Sequence, residues 1–149
     1  MSDFKIRAAR ESDWEEFYPF LAHDKPIDSL ELAFKRFRKK LEVESTGVFV
    51  AELEGQIVGV SMAHEWHEYL MSGLKQIRFS TLVVDLEHRK KGVGKALFEF
   101  TRDWAEGIGA TWFEWYSSPS AVSFYEHMGF RGNYNSDPEN PYFEIVFER

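Results

Sequence analysis

Cysteine is absent from the chain, which excludes disulfides and thiolate-held metals and is compatible with a reducing compartment. Also missing is any run approaching the ~20 apolar residues that span a bilayer. The opening segment Met1-Ser2-Asp3-Phe4-Lys5-Ile6-Arg7 has no long apolar stretch, so no signal peptide is expected and the chain reads as cytoplasmic. Basic residues are in deficit: 18 Lys and Arg stand against 25 Asp and Glu, a formal net charge of −7. That balance argues against broad nucleic-acid binding, which relies on basic surface to displace counterions, and favours cationic partners. Repeats, low-complexity tracts and linkers are lacking too. What remains is 149 residues, 44% hydrophobic and 17% aromatic, which reads as one domain, 1–149, with a core that needs no staples.

Hydrophobic patterning divides this chain into alternating elements. Lys5 to Ala9 reads as a short strand, and Ser12-Asp13-Trp14-Glu15 as a capping box opening a helix through about Leu21. After Pro26, a second box at Asp28 to Glu31 starts a helix with Leu30, Ala33, Phe34, Phe37 and Leu41 on one stripe. Gly47–Leu53 and Gln56–Ala63 read as a hairpin around Glu54-Gly55. A strand leading to Val84, a helix, a strand from Thr111 to Ser117, another helix and a last strand from Pro141 to Glu148 complete the order.

The richest stretch is Val84-Asp85-Leu86-Glu87-His88-Arg89-Lys90-Lys91-Gly92-Val93-Gly94-Lys95-Ala96-Leu97. It begins where the run Phe79–Val84 stops and ends in a segment with Val93, Ala96, Leu97, Phe100 and Trp104 at helical spacing. A strand, a glycine-bearing turn and a helix aim bare backbone N–H groups at an anion, because the first turn of a helix leaves its donors unpartnered. Gly92 and Gly94 let backbone approach closely, while Arg89, Lys90, Lys91 and Lys95 add positive charge. This pattern predicts a phosphate cradle. A Walker loop would need glycine at Arg89 and Ser or Thr at Ala96, and a dinucleotide fingerprint would need glycine at Leu97.

Arg89-x-x-Gly92-x-Gly94 after a Val-rich strand resembles the pyrophosphate signature of the GCN5-related N-acetyltransferases. A second segment, Ser118-Pro119-Ser120-Ala121-Val122-Ser123-Phe124-Tyr125-Glu126-His127-Met128-Gly129-Phe130, resembles the family's Ala-x-x-Phe-Tyr-x-x-x-Gly-Phe. Locally Ser118 suits an N-cap, Pro119 the first helical position and Gly129 a left-handed stop. The resemblance implies an α/β (α+β) acyl-CoA N-acyltransferase fold, a mixed twisted sheet of six to seven strands flanked by about four helices. It implies acetyl-CoA as co-substrate, with no metal, and transfer to an amine of a small molecule or peptide. A homodimer is compatible with it.

Residue by residue, the resemblance places the pyrophosphate on Arg89, Lys90, Lys91, Gly92, Val93, Gly94 and Lys95, and the pantetheine arm along Leu82, Val83 and Val84. Ser118 stands where many relatives carry an Asn that bonds this arm. Tyr125 matches the general acid, a phenol protonated at neutral pH that can supply a proton to the leaving thiolate. Some relatives place a glutamate base where this chain has Arg78, which cannot take up a proton. A water chain, His64, Glu65, His67 or Glu114 are the remaining routes, and Arg78 becomes a candidate for a substrate carboxylate. The two histidines of His64-Glu65-Trp66-His67-Glu68 are three apart, not the four a zinc-protease helix needs. The alternative function is a non-catalytic acyl-CoA sensor or regulatory module, which would keep Arg89 to Lys95 without needing Tyr125.

Overall fold

The computed structural model describes residues 4–22 and 26–148. The first three residues of the opening segment therefore lie outside the described residues. Six strands form one sheet in chain order: β1 Lys5–Ala8, β2 Thr46–Leu53, β3 Gln56–Glu68, β4 Lys75–Val84, β5 Trp112–Tyr116 and β6 Tyr142–Val146. Neighbours are antiparallel except β4 and β5. A parallel pair needs a crossover, and the helix α3, Val93–Gly107, supplies it. The expected six to seven strands thus resolve as six among the described residues.

Alternating side chains of β2 and β3 divide the core between the two faces. Val48, Val50, Ile57 and Val60 pack with Phe17 of α1 (Trp14–Phe17) and Phe37 of α2 (Leu30–Glu42). On the other face Phe49, Ala51 and Val58 meet Val93 and Leu97 of α3. There the aromatic content concentrates: Phe79, Phe98, Phe113, Trp115 and Phe143 form one cluster with Tyr125 of α4, Val122–His127. Two hydroxyls lie inside this layer, and Ser61 and Thr101 satisfy each other at 2.8 Å.

Both expected capping boxes are displaced. Ser12 is exposed, and the first helical turn starts after Arg10, whose backbone N–H donates to Asp13 at 2.7 Å. Asp13 is drawn inward because the Arg7 guanidinium on β1 donates to both its oxygens, at 2.8 and 2.9 Å. That pairing holds its carboxyl below the usual carboxylate range. The second helix is capped by Ser29, one residue later than the expected box, its Oγ accepting from Leu32 N–H at 3.0 Å. β3 runs on to Glu68 instead of ending at Ala63, since His64–Glu68 pair with Lys75–Arg78.

Candidate active site

The sheet parts in its middle. β4 and β5 pair only at Gln76–Trp112, Ile77–Phe113 and Arg78–Glu114, and from Phe79 onward the β5-facing edge of β4 has no strand partner among the described residues. The parting coincides with a bulge: Met62 faces Thr81 and Ala63 faces Phe79, leaving Ser80 as the extra residue. A bulge bends and twists its strand, which turns β4 away from β5. Ser80 steadies it by donating its hydroxyl to Met62 C=O at 3.3 Å. No sequence pattern marks this bulge.

A cleft of about 250 Å³ fills the gap, lined by Phe79–Val83, by Trp115, Tyr116, Ser117 and Ser118, and by Ala121 and Tyr125. The expected arm-binding residues Leu82 and Val83 and the polar candidate Ser118 therefore share one cavity with Tyr125. Val84 lies just beyond it and packs against Val93 and its neighbours. Ser118 holds the cap position of the 3-10 turn Pro119–Ala121 that leads into α4, but its hydroxyl makes no capping bond and instead shares a 3.5 Å hydrogen bond with Ser120 Oγ. The Tyr125 ring packs against Phe98, Trp115, Phe124 and Phe143 and is 6% exposed. Its hydroxyl has no hydrogen-bond partner among the described residues. Burial pushes the phenol above its ordinary range, so it stays protonated across all working pH values.

Past the end of β4 lies the basic loop. Gly92 has φ +86° and open space where a Cβ would stand, and Lys90 shares the left-handed conformation at φ +65°. Ala96 N–H closes the first turn of α3 onto Gly92 C=O at 3.0 Å, which leaves the N–H groups of Val93, Gly94 and Lys95 free of the helix ladder. The Val93 side chain is buried, so only its backbone faces the loop. Arg89, Lys90, Lys91 and Lys95 are exposed, and the three lysines have no partner among the described residues. Gly94 has a second role. A Cβ there would come within 3.3 Å of the Phe124 ring, so this glycine also lets α4 close against the loop.

A second cleft of about 540 Å³ opens on the other side of the parting, lined by His64, Trp66, Arg78, Phe79, Ser80 and Tyr116. It shares Phe79, Ser80 and Tyr116 with the first cleft, so the two meet at the bulge. Of the four side chains considered as bases, only His64 lines it. Glu65 pairs with Lys75 at 3.5 Å, His67 packs edge-on against Tyr69, and Glu114 is buried beneath. Both Glu114 oxygens are engaged: Trp66 Nε1–H donates to one at 2.5 Å, and the Tyr142 hydroxyl donates to the other. The His64 ring has no hydrogen-bond partner among the described residues. Burial first, then the charges of Lys40 and Arg78, hold its pKa below the usual 6.5, so its imidazole is neutral at neutral pH. Among the described residues no group of three His, Asp or Glu is placed to hold a metal ion.

A family model described as an acetyltransferase (GNAT) domain matches residues 44–132. Glucosamine 6-phosphate N-acetyltransferase of Trypanosoma brucei brucei is 28% identical over 134 residues, spanning 88% of this chain and 91% of that protein. The crystal structure of glucosamine-6-phosphate N-acetyltransferase from Arabidopsis thaliana matches with a TM-score of 0.72 at 25% identity, over 87% of this chain and 92% of that one. The PaiA N-acetyltransferase of Thermoplasma acidophilum, solved in complex with coenzyme A, shares the fold at 15% identity. Its TM-score is 0.72 over 99% of this chain and 100% of that one. The four helices and the six-stranded mixed sheet are thus those of an acyl-CoA N-acyltransferase fold.

Proposed function

The chain belongs to the GNAT family of N-acetyltransferases, and from that membership we propose that it transfers the acetyl group of acetyl-CoA directly to a primary amine of a small molecule. The observation that carries this reading is the pair of clefts joined at the bulge. One leads from Ser80 past Tyr125 toward the basic loop, and the other opens from Ser80 past His64.

In this reading the free N–H groups at the start of α3, with Arg89, Lys90, Lys91 and Lys95 around them, take the CoA pyrophosphate. The unpaired edge of β4 through Leu82 and Val83 receives the pantetheine arm as a missing strand would, and Ser118 lies opposite, its hydroxyl held only by a long hydrogen bond of 3.5 Å to Ser120 Oγ. The thioester carbon then lies where the two clefts meet. Neutral His64 takes the proton of the incoming ammonium, and the amine nitrogen bonds to the carbonyl carbon. Backbone N–H groups beside the bulge face the oxygen as it becomes negative, a contribution of about 3 kcal/mol for one such donor. As the C–S bond breaks, Tyr125 gives its proton to the departing thiolate, and the second proton shed by the acylated nitrogen returns the phenolate to its neutral form. The acetyl group passes straight to the amine, so no cysteine nucleophile is required. As acceptor class, an amine on a small molecule agrees with the relatives named for glucosamine 6-phosphate.

A ligand that binds only the folded chain raises its melting temperature. At 100 times its dissociation constant CoA stabilises by about 2.7 kcal/mol, or roughly 5–11 °C for a chain of this size. Acetyl-CoA and CoA should give that shift and ATP and NADH far less. CoA-thiol release should then appear with at least one amine in a panel of amino sugars, amino acids and polyamines. An equal shift from ATP would refute the assignment of the loop to CoA.

A further inference from the structure

Arg78 is the most unusual side chain in the second cleft. It sits on β4 opposite His64 of β3 and beside Glu114 of β5, at the last rung before the sheet parts. Its guanidinium lies over the Trp66 ring at 5.2 Å and the Tyr116 ring at 5.4 Å. Trp66 is in turn fixed by its hydrogen bond to Glu114. The guanidinium plane is therefore held from two sides.

The clamp leaves the donors unspent. None of the Arg78 N–H groups makes a hydrogen bond among the described residues, and Nε is buried without a partner. Glu114 comes no closer than 3.5 Å to Nη2, because its oxygens are already taken by Trp66 and Tyr142. The Arg78 side chain remains 31% exposed at the cleft wall. A guanidinium presents five donors in a planar fork that fits a carboxylate or a phosphate, so an oxyanion is the ligand that would use what the protein does not.

The chain's net charge of −7 does not extend to this cleft. Lys40 on α2 and Arg78 on β4 both press positively on His64. Of the carboxylates nearby, Glu114 is buried and engaged, Glu65 faces Lys75, and Glu144 accepts from the Tyr142 hydroxyl at 3.3 Å. We propose that the second cleft selects amines that also carry an oxyanion, a carboxylate or a phosphate, gripped by Arg78 while the amine lies at His64 and Ser80. This rests on reading the second cleft as the acceptor side.

Calorimetry on the full chain saturated with CoA tests it, because the cofactor then fills the basic loop. Two matched pairs serve as probes: glucosamine 6-phosphate against glucosamine, and γ-aminobutyrate against butylamine. The anionic member of at least one pair should bind at least tenfold more tightly, and which pair does so tells phosphate from carboxylate. Arg78→Gln should bring that pair within about twofold with CoA affinity unchanged. Glu114→Gln removes the countercharge and should tighten the anionic member alone, a gain that damage to the fold cannot mimic. If CoA binds but neither pair discriminates, or if Arg78→Gln keeps the preference, or if Glu114→Gln fails to tighten the anionic member, the oxyanion proposal is wrong. Failure of CoA itself to bind would overturn the acetyltransferase reading along with it.

Discussion

Replacing Tyr125 by Phe removes one oxygen from a ring held among Phe98, Trp115, Phe124 and Phe143. The usual penalty for deleting a hydroxyl, about 1 kcal/mol, reflects a lost hydrogen bond. Here the hydroxyl has no partner among the described residues, so stability should move by less than about 0.5 kcal/mol, or roughly 2 °C. CoA affinity should hold as well, because the ring that walls the cleft stays in place. Turnover is where the loss should fall. A positioned proton donor contributes about 10²- to 10⁴-fold, and a thiolate is a good leaving group, so about 10²-fold is expected. That equals about 2.7 kcal/mol of barrier. Thiol release under single-turnover conditions, with acetyl-CoA and the amine both saturating, measures the chemical step alone. A variant that melts with the wild type, binds acetyl-CoA normally and reacts at the wild-type single-turnover rate would refute the acid role. A variant that loses several degrees would show instead that the hydroxyl holds the fold.

The pH dependence of kcat should be one-sided: His64 is neutral above a pKa held below 6.5, so the rate falls only on the acid side of that value. With Tyr125 protonated throughout, no alkaline limb is expected up to about pH 9. His64→Gln should lower kcat about 10²-fold and erase the acid limb, and a limb that survives would assign it to another group. Gly92→Val forces a branched residue into φ +86°, and should weaken CoA binding at least tenfold by calorimetry. Gly94→Val should do the same and also slow turnover at saturating cofactor, because its side chain displaces Phe124 beside Tyr125. Unchanged CoA affinity in both variants would exclude the loop from cofactor binding.

Much of the fold was legible because its signals are local. The α2 stripe, the Glu54-Gly55 turn, the strand into Arg89-x-x-Gly92-x-Gly94 and the Gly129 stop each depend on neighbours a few residues away. Gly129 has φ +95°, and Phe130 N–H folds back to Tyr125 C=O at 3.2 Å, as the stop signal predicts. What stayed hidden depends on distant partners. Asp13 outcompetes Ser12 as the organiser of the first turn because Arg7 on a neighbouring strand pulls it in. The second half of β3 is polar and exposed, and it becomes a strand only through pairing with Lys75–Arg78. For the site, the two motifs announced the loop and Tyr125, but the base candidates could not be ranked. His64, Glu65, His67 and Glu114 differ in what surrounds them across three strands, and only the assembled sheet separates the free imidazole from the buried, occupied carboxylate.

The parting of β4 from β5 also sets a size limit. Exposed strand edges invite foreign chains to add on, yet this edge lines a cleft, walled by Tyr125, Trp115 and Ser118. It closes at Arg78–Glu114, the last rung of the pairing. Its 250 Å³ corresponds to about eight waters at their share of liquid volume, near 30 Å³ each. So small a volume leaves little room for a polypeptide with side chains on both faces, and suits the unbranched, amide-bearing arm of the proposed cofactor. Under the proposed function the seam would work as a sieve: it offers the hydrogen bonds of a sheet edge to a thin guest and little room to the guests that make sheet edges hazardous.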